Sequence, residues 1–287
     1  MMAIHGGAGA LTGRDYSRET AHLRSLIEAG RARLLAGASA LVTVVETVAA
    51  LEASGLYVAG RGASPNTAGV YELDAAVMDG RTRRAGAVAA LRGFASPIHA
   101  ALAVMEKTPH VILAGEGAAA FAADQGLERI DDPAAWFTHV GWGGAKRAAL
   151  ETGTVGCVAR DALGDLAAAT STGGVFCKLA GRVGDSPVPG AGVWADERVA
   201  VSCTGAGEMF LRAAVAVQVS HRMAFAGESA ADAARAALAD ALSLGGDGGL
   251  IAASAEGEIA MLFTSQGMKR AALFADGTIM AEVFADE

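Results

Sequence analysis

A chain with 38 glycines, abundant alanine and only 5% aromatic residues must build its core from small side chains that let backbones approach closely. That favours tightly packed layers over a loose bundle. With 287 residues and 52% hydrophobic content the core can be large, organised as one big domain or two smaller ones. A formal net charge of -8 argues against a nucleic-acid partner. The densest basic run, Arg81-Thr82-Arg83-Arg84, reads as a solvated turn after a strand. Mean hydropathy is positive, yet no stretch offers the ~20 uninterrupted apolar residues of a membrane span, so no membrane partner is expected. The start, Met1-Met2-Ala3-Ile4-His5-Gly6-Gly7, lacks the basic and long apolar regions of a signal peptide. Cys157, Cys177 and Cys203 are odd in number and lack metal-type spacing. Together these lead to the expectation of a reducing, cytoplasmic setting.

Periodicity divides the chain into helices and strands. Ser17–Leu35 is compatible with an amphipathic helix, and a second starts at the N-cap candidate Ser39 and stops at Gly55. A Gly/Pro/Asn-rich loop, 56–69, leads to two strands over 71–80 and 84–91. Glu72 and Asp74 lie in the first; they sit either on a solvated face or internally hydrogen-bonded near a site. A helix from Ser96 to Lys107, a short strand at 111–113 and a helix over 115–125 follow. Residues 131–152 have no sustained period and read as an exposed linker. Beyond it come a hairpin (154–160 and 166–171), a strand at 198–203, helices near 209–219 and 229–242, and four closing strands. Helices grouped between runs of antiparallel strands indicate an α+β layered fold.

The chemistry concentrates in the second half. Thr154, Thr172 and Thr204 sit at strand ends among small residues, with no Ser-His-Asp pattern around them. A threonine hydroxyl is a weak nucleophile, but an amino-terminal threonine carries its own base, an α-amine with a pKa near ~8. Freeing that amine requires cleavage of the Gly153–Thr154 bond, and Gly153 suits it because a residue without Cβ tolerates strain and leaves its carbonyl open. In Gly181-Arg182-Val183-Gly184-Asp185-Ser186-Pro187, Arg182 can grip a carboxylate and Asp185 an ammonium group, matching the two ends of an amino acid. An ordinary i,i+3 salt bridge between the two is the competing reading. Thr204-Gly205-Ala206-Gly207 before a helix supplies N–H groups for an oxyanion. His5, at a strand end before glycines, reads as a packed structural residue.

In order along the chain stand His5-Gly6-Gly7-Ala8-Gly9, Glu72-Leu73-Asp74-Ala75, Gly153-Thr154-Val155-Gly156, Ser171-Thr172-Gly173-Gly174, the Gly181–Pro187 segment and Cys203-Thr204-Gly205-Ala206-Gly207-Glu208. Their series resembles the plant-type L-asparaginase and isoaspartyl peptidase family across nearly the whole length. The resemblance implies a four-layer αββα sandwich of the Ntn-hydrolase type. It implies one domain over 1–287, self-cleaved into 1–153 and 154–287 and paired into a homodimer of two-chain protomers. It assigns Thr154 as nucleophile, Thr172 and Thr204 as assisting hydroxyls, and Thr204 and Gly205 to the oxyanion hole. Arg182 and Asp185 would hold the α-carboxylate and α-amine of the substrate, with Thr204 and Gly207 beside them. The substrates implied are L-asparagine and β-aspartyl dipeptides, with no catalytic cofactor. A structural sodium ion is implied on the carbonyls of Leu51, Glu52, Ser54, Tyr57, Ala59 and Arg61. Two departures stand out: Val58 replaces an asparagine common in relatives, and the linker before Gly153 is short. A glycosylasparaginase-like amidase and an unprocessed homologue that binds amino acids are the alternative readings.

Overall fold

The computed structural model describes residues 1–138 and 153–285. Twelve strands are present among them: β1 (Met2–Ala8), β2 (Leu73–Asp79), β3 (Ala85–Leu91), β4 (Ile112–Ala114), β5 (Thr154–Arg160), β6 (Leu166–Thr172), β7 (Val193–Ala195), β8 (Val199–Gly205), β9 (Gly248–Ser254), β10 (Ile259–Phe263), β11 (Met268–Leu273) and β12 (Ile279–Glu282). One sheet runs β12-β11-β1-β5-β6-β2-β3-β4 and the other β10-β9-β8-β7. Among the described strands, only β3 and β4 pair in parallel. Strands from either side of Gly153 interleave, since β1 lies between β11 and β5, and β2 pairs with β6.

Helices cover the outer faces. On the large sheet lie α1 (Ser17–Leu35), α2 (Ala40–Ser54), α3 (Pro97–Lys107) and α4 (Gly115–Asp124), burying Leu23, Val44, Val48, Ile98 and Val104 against it. A short α5 (Pro133–Trp136) follows. On the small sheet lie α6 (Gly207–Ala213), α7 (Val215–Ala226) and α8 (Ala230–Ser243), burying Phe210, Val215, Val219 and Leu238. Between the sheets is a third apolar cluster made largely of alanine, with Met78, Val158, Val193, Ile251 and Met268. The fold is therefore an αββα sandwich, as the sequence leads one to expect, and small side chains let its sheets pack closely.

Local signals explain the well-anticipated elements. The Ser39 side chain accepts the Val42 N–H at the start of α2, and Gly55 ends it in the left-handed region. Ser229 caps α8 in the same way. The expected helix near 209–219 is instead two, because Ala214 adopts φ 50° between α6 and α7. Three-residue β7 carries too short a pattern to read. Of the expected exposed linker over 131–152, residues 131–135 are exposed, although Asp132 caps the short α5 there; the expectation fails at Phe137, which is buried with its ring 3.6 Å from that of Tyr71. Residues 139–152 of that linker lie outside the described residues. Among the described residues, no helix is long and apolar enough to cross a membrane.

Alternation along the strands positions the site. In β5, Val155, Cys157 and Ala159 face the helices while Val158 faces the second sheet. Thr154 and Gly156 share the inward parity of Val158. By the same rule Thr170 and Thr172 follow Ala168 inward, Ser202 and Thr204 follow Ala200, and His5 follows Ala3. Six polar residues and Gly156 thus converge on one intersheet layer.

The close packing has a testable cost. A Cβ on Gly86 of β3 would stand 2.1 Å from the Ala101 carbonyl oxygen and 2.6 Å from the Met105 nitrogen of α3. Gly86→Ala is expected to destabilise the protein by about 1–3 kcal/mol, read as a lower urea midpoint with an unchanged m-value.

Candidate active site

Thr154 opens β5 with 7% of its surface exposed, and its Oγ1 meets two hydroxyls. Thr154 Oγ1 donates to Thr172 Oγ1 at 3.2 Å, and Thr172 Oγ1 donates to the Gly153 carbonyl at 3.0 Å while accepting the Gly174 N–H at 3.0 Å. Ser186 Oγ lies 3.4 Å from Thr154 Oγ1. With the Thr154 proton directed to Thr172, Ser186 is the donor, giving a path Ser186, Thr154, Thr172, Gly153 carbonyl. In sequence Ser186 is marked only by its place beside Asp185.

The Gly153–Thr154 pair is held on two sides. A Cβ on Gly153 would lie 2.9 Å from both Cβ and Cγ2 of Val58, and one on Gly7 would lie 2.9 Å from Gly153 Cα. Gly7 takes φ 102° here, so glycine is required for conformation as well as space. Val58 is buried, and its carbonyl accepts the Gly173 N–H at 2.8 Å. In place of an amide, an aliphatic wall therefore backs the Gly153–Thr154 bond.

Arg182, Asp185 and Gly205 line the same narrow cavity as Gly153, Thr154, Thr172 and Ser186. The i,i+3 salt bridge considered from sequence is not how Arg182 is held. Its Nε and Nη2 donate to the two carboxylate oxygens of Glu208 at 2.9 Å each, and this fork keeps Glu208 below the usual carboxylate range. Asp185 is fully enclosed, with no hydrogen-bond partner for Oδ2 among the described residues. Burial raises its pKa to about 7, opposed by a hydrogen bond to its own backbone N–H and by Arg182. A buried acceptor without a donor, beside a guanidinium, is built to receive a cation.

Gly207 lies under both groups: a Cβ there would be 2.8 Å from Arg182 Nη2 and 3.0 Å from Asp185 Oδ1. Thr204 is placed differently from its expected partners. It is fully buried and its Oγ1 accepts the Ala8 N–H at 3.1 Å, tying β8 to β1, whereas the hydroxyls that meet Thr154 Oγ1 are those of Thr172 and Ser186. Gly205 continues from it at φ 150°.

Behind the cavity stands a charge cluster that resolves the two readings of Glu72 and Asp74. Both are fully buried and internally bonded: Glu72 accepts from Asn66 Nδ2 at 2.9 Å and from the Gly181 N–H, and Asp74 Oδ1 accepts the Ala90 N–H at 2.7 Å. Burial raises Asp74 to about 6, with Lys178 opposing. Lys178, missed from sequence, is itself buried; its ammonium donates to the Glu72 and Gly173 carbonyls at 2.6 and 3.1 Å, and burial lowers its pKa. It thereby pins the loop leading to Arg182. A separate ring of backbone forms where 51–61 turns back on itself. A Cβ on Gly60 would be 2.7 Å from the Glu52 carbonyl oxygen. Three carbonyls there accept hydrogen bonds: Leu51 from Ser54 Oγ, Tyr57 from the Ala59 N–H, and Arg61 from both the N–H and the Oγ1 of Thr138.

A family model described as asparaginase matches residues 1–143 and 140–282. The isoaspartyl peptidase of Salmonella typhimurium is 46% identical over 301 residues, covering 97% of this chain and 96% of that one. The isoaspartyl peptidase of Escherichia coli is 42% identical, covering 100% and 97%. The plant-type L-asparaginase of Pyrobaculum calidifontis is 40% identical, covering 94% and 95%. Matched in sequence along nearly its whole length, the chain belongs to the asparaginase family that contains the plant-type L-asparaginases and isoaspartyl peptidases.

Proposed function

We propose that this protein is a self-processing amidohydrolase that releases L-aspartate from β-aspartyl dipeptides and L-asparagine. One observation carries the reading: the Thr154 hydroxyl stands in a hydroxyl path ending on the Gly153 carbonyl, and it opens on the cavity that holds Arg182 and Asp185. Names of relatives as isoaspartyl peptidases support the substrate class.

In maturation, Thr154 Oγ1 attacks the Gly153 carbonyl carbon. Charge developing on that carbonyl oxygen is met by the Thr172 hydroxyl already donating to it. The C–N bond breaks as the proton lost from Oγ1 passes to the nitrogen, which frees the Thr154 amine and leaves an ester; water then hydrolyses that ester to a Gly153 carboxylate and the Thr154 hydroxyl. The chain thus becomes 1–153 and 154–287, both contributing strands to one sheet.

In turnover, the substrate's α-ammonium occupies the vacant side of Asp185 and its α-carboxylate meets Arg182, in competition with the exposed Glu208. Gly207 keeps the floor low enough for both contacts. The Thr154 amine takes the hydroxyl proton as Oγ1 attacks the side-chain carbonyl, and the Gly205 N–H with the Thr204 segment faces the oxyanion. Ammonia or an amino acid leaves with that proton, and water then releases aspartate from the threonine ester.

No cofactor enters these steps. A structural sodium ion on the carbonyls of Leu51, Glu52, Ser54, Tyr57, Ala59 and Arg61 follows from the family resemblance and is compatible with a loop that folds back until Gly60 lies against the Glu52 carbonyl. Its part would be to hold the loop that carries Val58. A reducing, cytoplasmic setting accords with three unbonded cysteines. Pairing into a homodimer rests on the family resemblance.

Incubation with β-aspartyl-leucine or asparagine is expected to yield free aspartate, and Thr154→Ala to lower the rate by at least ~10³-fold. Binding of aspartate without turnover would favour the non-catalytic alternative. Asp185→Asn is expected to raise KM by about 10²-fold or more, the value of a buried charged contact, without lowering the melting temperature, since it removes a buried carboxylate with an unpartnered oxygen. The sign of the pH dependence follows from both titrating groups. Asp185 must be ionised and is so above about 7, while the Thr154 amine must be neutral, so kcat/KM should fall with two protons on the acid side. In Asp185→Asn that fall should involve one proton.

A further inference from the structure

His5 was read from sequence as a packed structural residue, yet its ring spans the space between the nucleophile and the second sheet. Its Nδ1 lies 2.9 Å from the carbonyl oxygen of Thr154, and its Nε2 lies 2.9 Å from Ser202 Oγ. Ser202 Oγ is in turn 2.7 Å from Thr170 Oγ1. All four residues are at or near zero exposure.

Chemistry fixes the direction of this chain. A carbonyl oxygen only accepts, so Nδ1 carries the proton. The ring is neutral, because burial drives its pKa down to about 3 against the favourable bond to Thr154, with Lys269 lowering it further. A neutral imidazole has one N–H, so Nε2 is a lone pair and Ser202 must donate to it. Ser202 therefore accepts from Thr170. That contact, at 2.7 Å, is shorter than the 3.2 Å from Thr170 Oγ1 to the Gly192 carbonyl, which also takes the Cys203 N–H at 2.9 Å.

The backbone has been cleared for the arrangement. A Cβ on Gly156 would lie 1.9 Å from Ser202 Oγ and 2.4 Å from His5 Nε2, directly in the path of their bond. Register explains why the clamp falls on Thr154. The β1–β5 ladder pairs Met2 with Ala159 through His5 with Gly156, and beyond it the side chain of His5 reaches the carbonyl two residues upstream.

We propose that Thr170, Ser202 and His5 form a one-way hydrogen-bond chain that clamps the Thr154 carbonyl and so positions the nucleophile. Once the Gly153–Thr154 bond is cut, Thr154 is a chain terminus, held covalently on one side only and free to pivot about the bond to its own carbonyl. Its amine and hydroxyl both hang on the α-carbon next to that carbonyl. Holding the carbonyl holds the base and the nucleophile together, and His5 does so without touching substrate.

The inference rests on the hydrolase reading for its kinetic test and is independent of it for its spectroscopic one. An Asn amide nitrogen can replace Nδ1 of His5, whereas a Gln amide nitrogen reaches toward the Nε2 position. In matured protein, His5→Asn should keep kcat within about 3-fold, while His5→Gln should lose ~10–100-fold, the scale of a misaligned reacting group. KM should stay within about 2-fold in both, since Arg182 and Asp185 are untouched. Equal losses in the two variants, or a rise in KM at constant kcat, would overturn the proposal. The ¹⁵N shifts of the imidazole, assigned by their disappearance in His5→Asn, give the second readout in the wild-type chain and in Thr154→Ala, both of which retain the residue-154 carbonyl. A protonated Nδ1 with an unprotonated Nε2 is expected. The opposite tautomer refutes the clamp whether or not aspartate is released, and this measurement decides the matter should His5→Gln fail to mature.

Discussion

Every catalytic possibility in this molecule depends on the closeness of two sheets. Hydroxyls and an imidazole are poor companions for an apolar interior unless each finds a partner, and partners come within reach only where the strands carry almost no side-chain bulk. Gly156 gives the clearest case, leaving room for the His5–Ser202 bond. The alanine-rich cluster that separates the sheets elsewhere sets the same short spacing. Small residues are thus the condition for a buried polar layer in which Thr154 sits nearly out of water, where hydrogen bonds and charges act strongly.

Electrostatics within that layer divides the labour between two sides of Thr154. Toward Gly153 the groups are neutral hydroxyls, and Val58 contributes a dry wall behind the bond. Toward the substrate cavity the groups are charged and left incomplete. Asp185 keeps an unpartnered oxygen, and Arg182 is held by a carboxylate that solvent can reach. Keeping a buried acid incomplete costs stability, as strained and unsatisfied groups at functional sites commonly do. Lys178 and Glu72 brace the loop from behind: the Lys178 ammonium holds the Gly173 and Glu72 main-chain carbonyls, and the Glu72 carboxylate takes the Gly181 N–H.

Much of this was legible in the sequence because the signals were local. Ser39 and Gly55 bound α2 by capping chemistry, and two apolar runs around the glycine-bearing turn Asp161–Asp165 made the β5–β6 hairpin plain. The motif residues Thr154, Thr172, Arg182, Asp185 and Gly205 converge on one cavity, as their shared appearance in the series suggests. What escaped depends on contacts distant in the chain. Arg182 was weighed against its neighbour Asp185, but its fork is taken by Glu208, which only the fold brings near. His5 looked structural because its partners, Ser202 and the Thr154 carbonyl, are 197 and 149 residues away. Ala214 broke a helix without glycine or proline to mark it, since an alanine in the left-handed region is imposed by tertiary packing.

The account stands on one bond, Gly153–Thr154, being both the junction of two interleaved halves and the precursor of the catalyst. Intact-mass analysis of freshly purified protein sampled through incubation, with aspartate release measured on the same samples, tests this most directly. The account predicts a chain that converts to two species corresponding to residues 1–153 and 154–287, with activity rising in proportion to the cleaved fraction. Full activity from a chain that stays whole, or a new amino terminus at any residue other than Thr154, would contradict it.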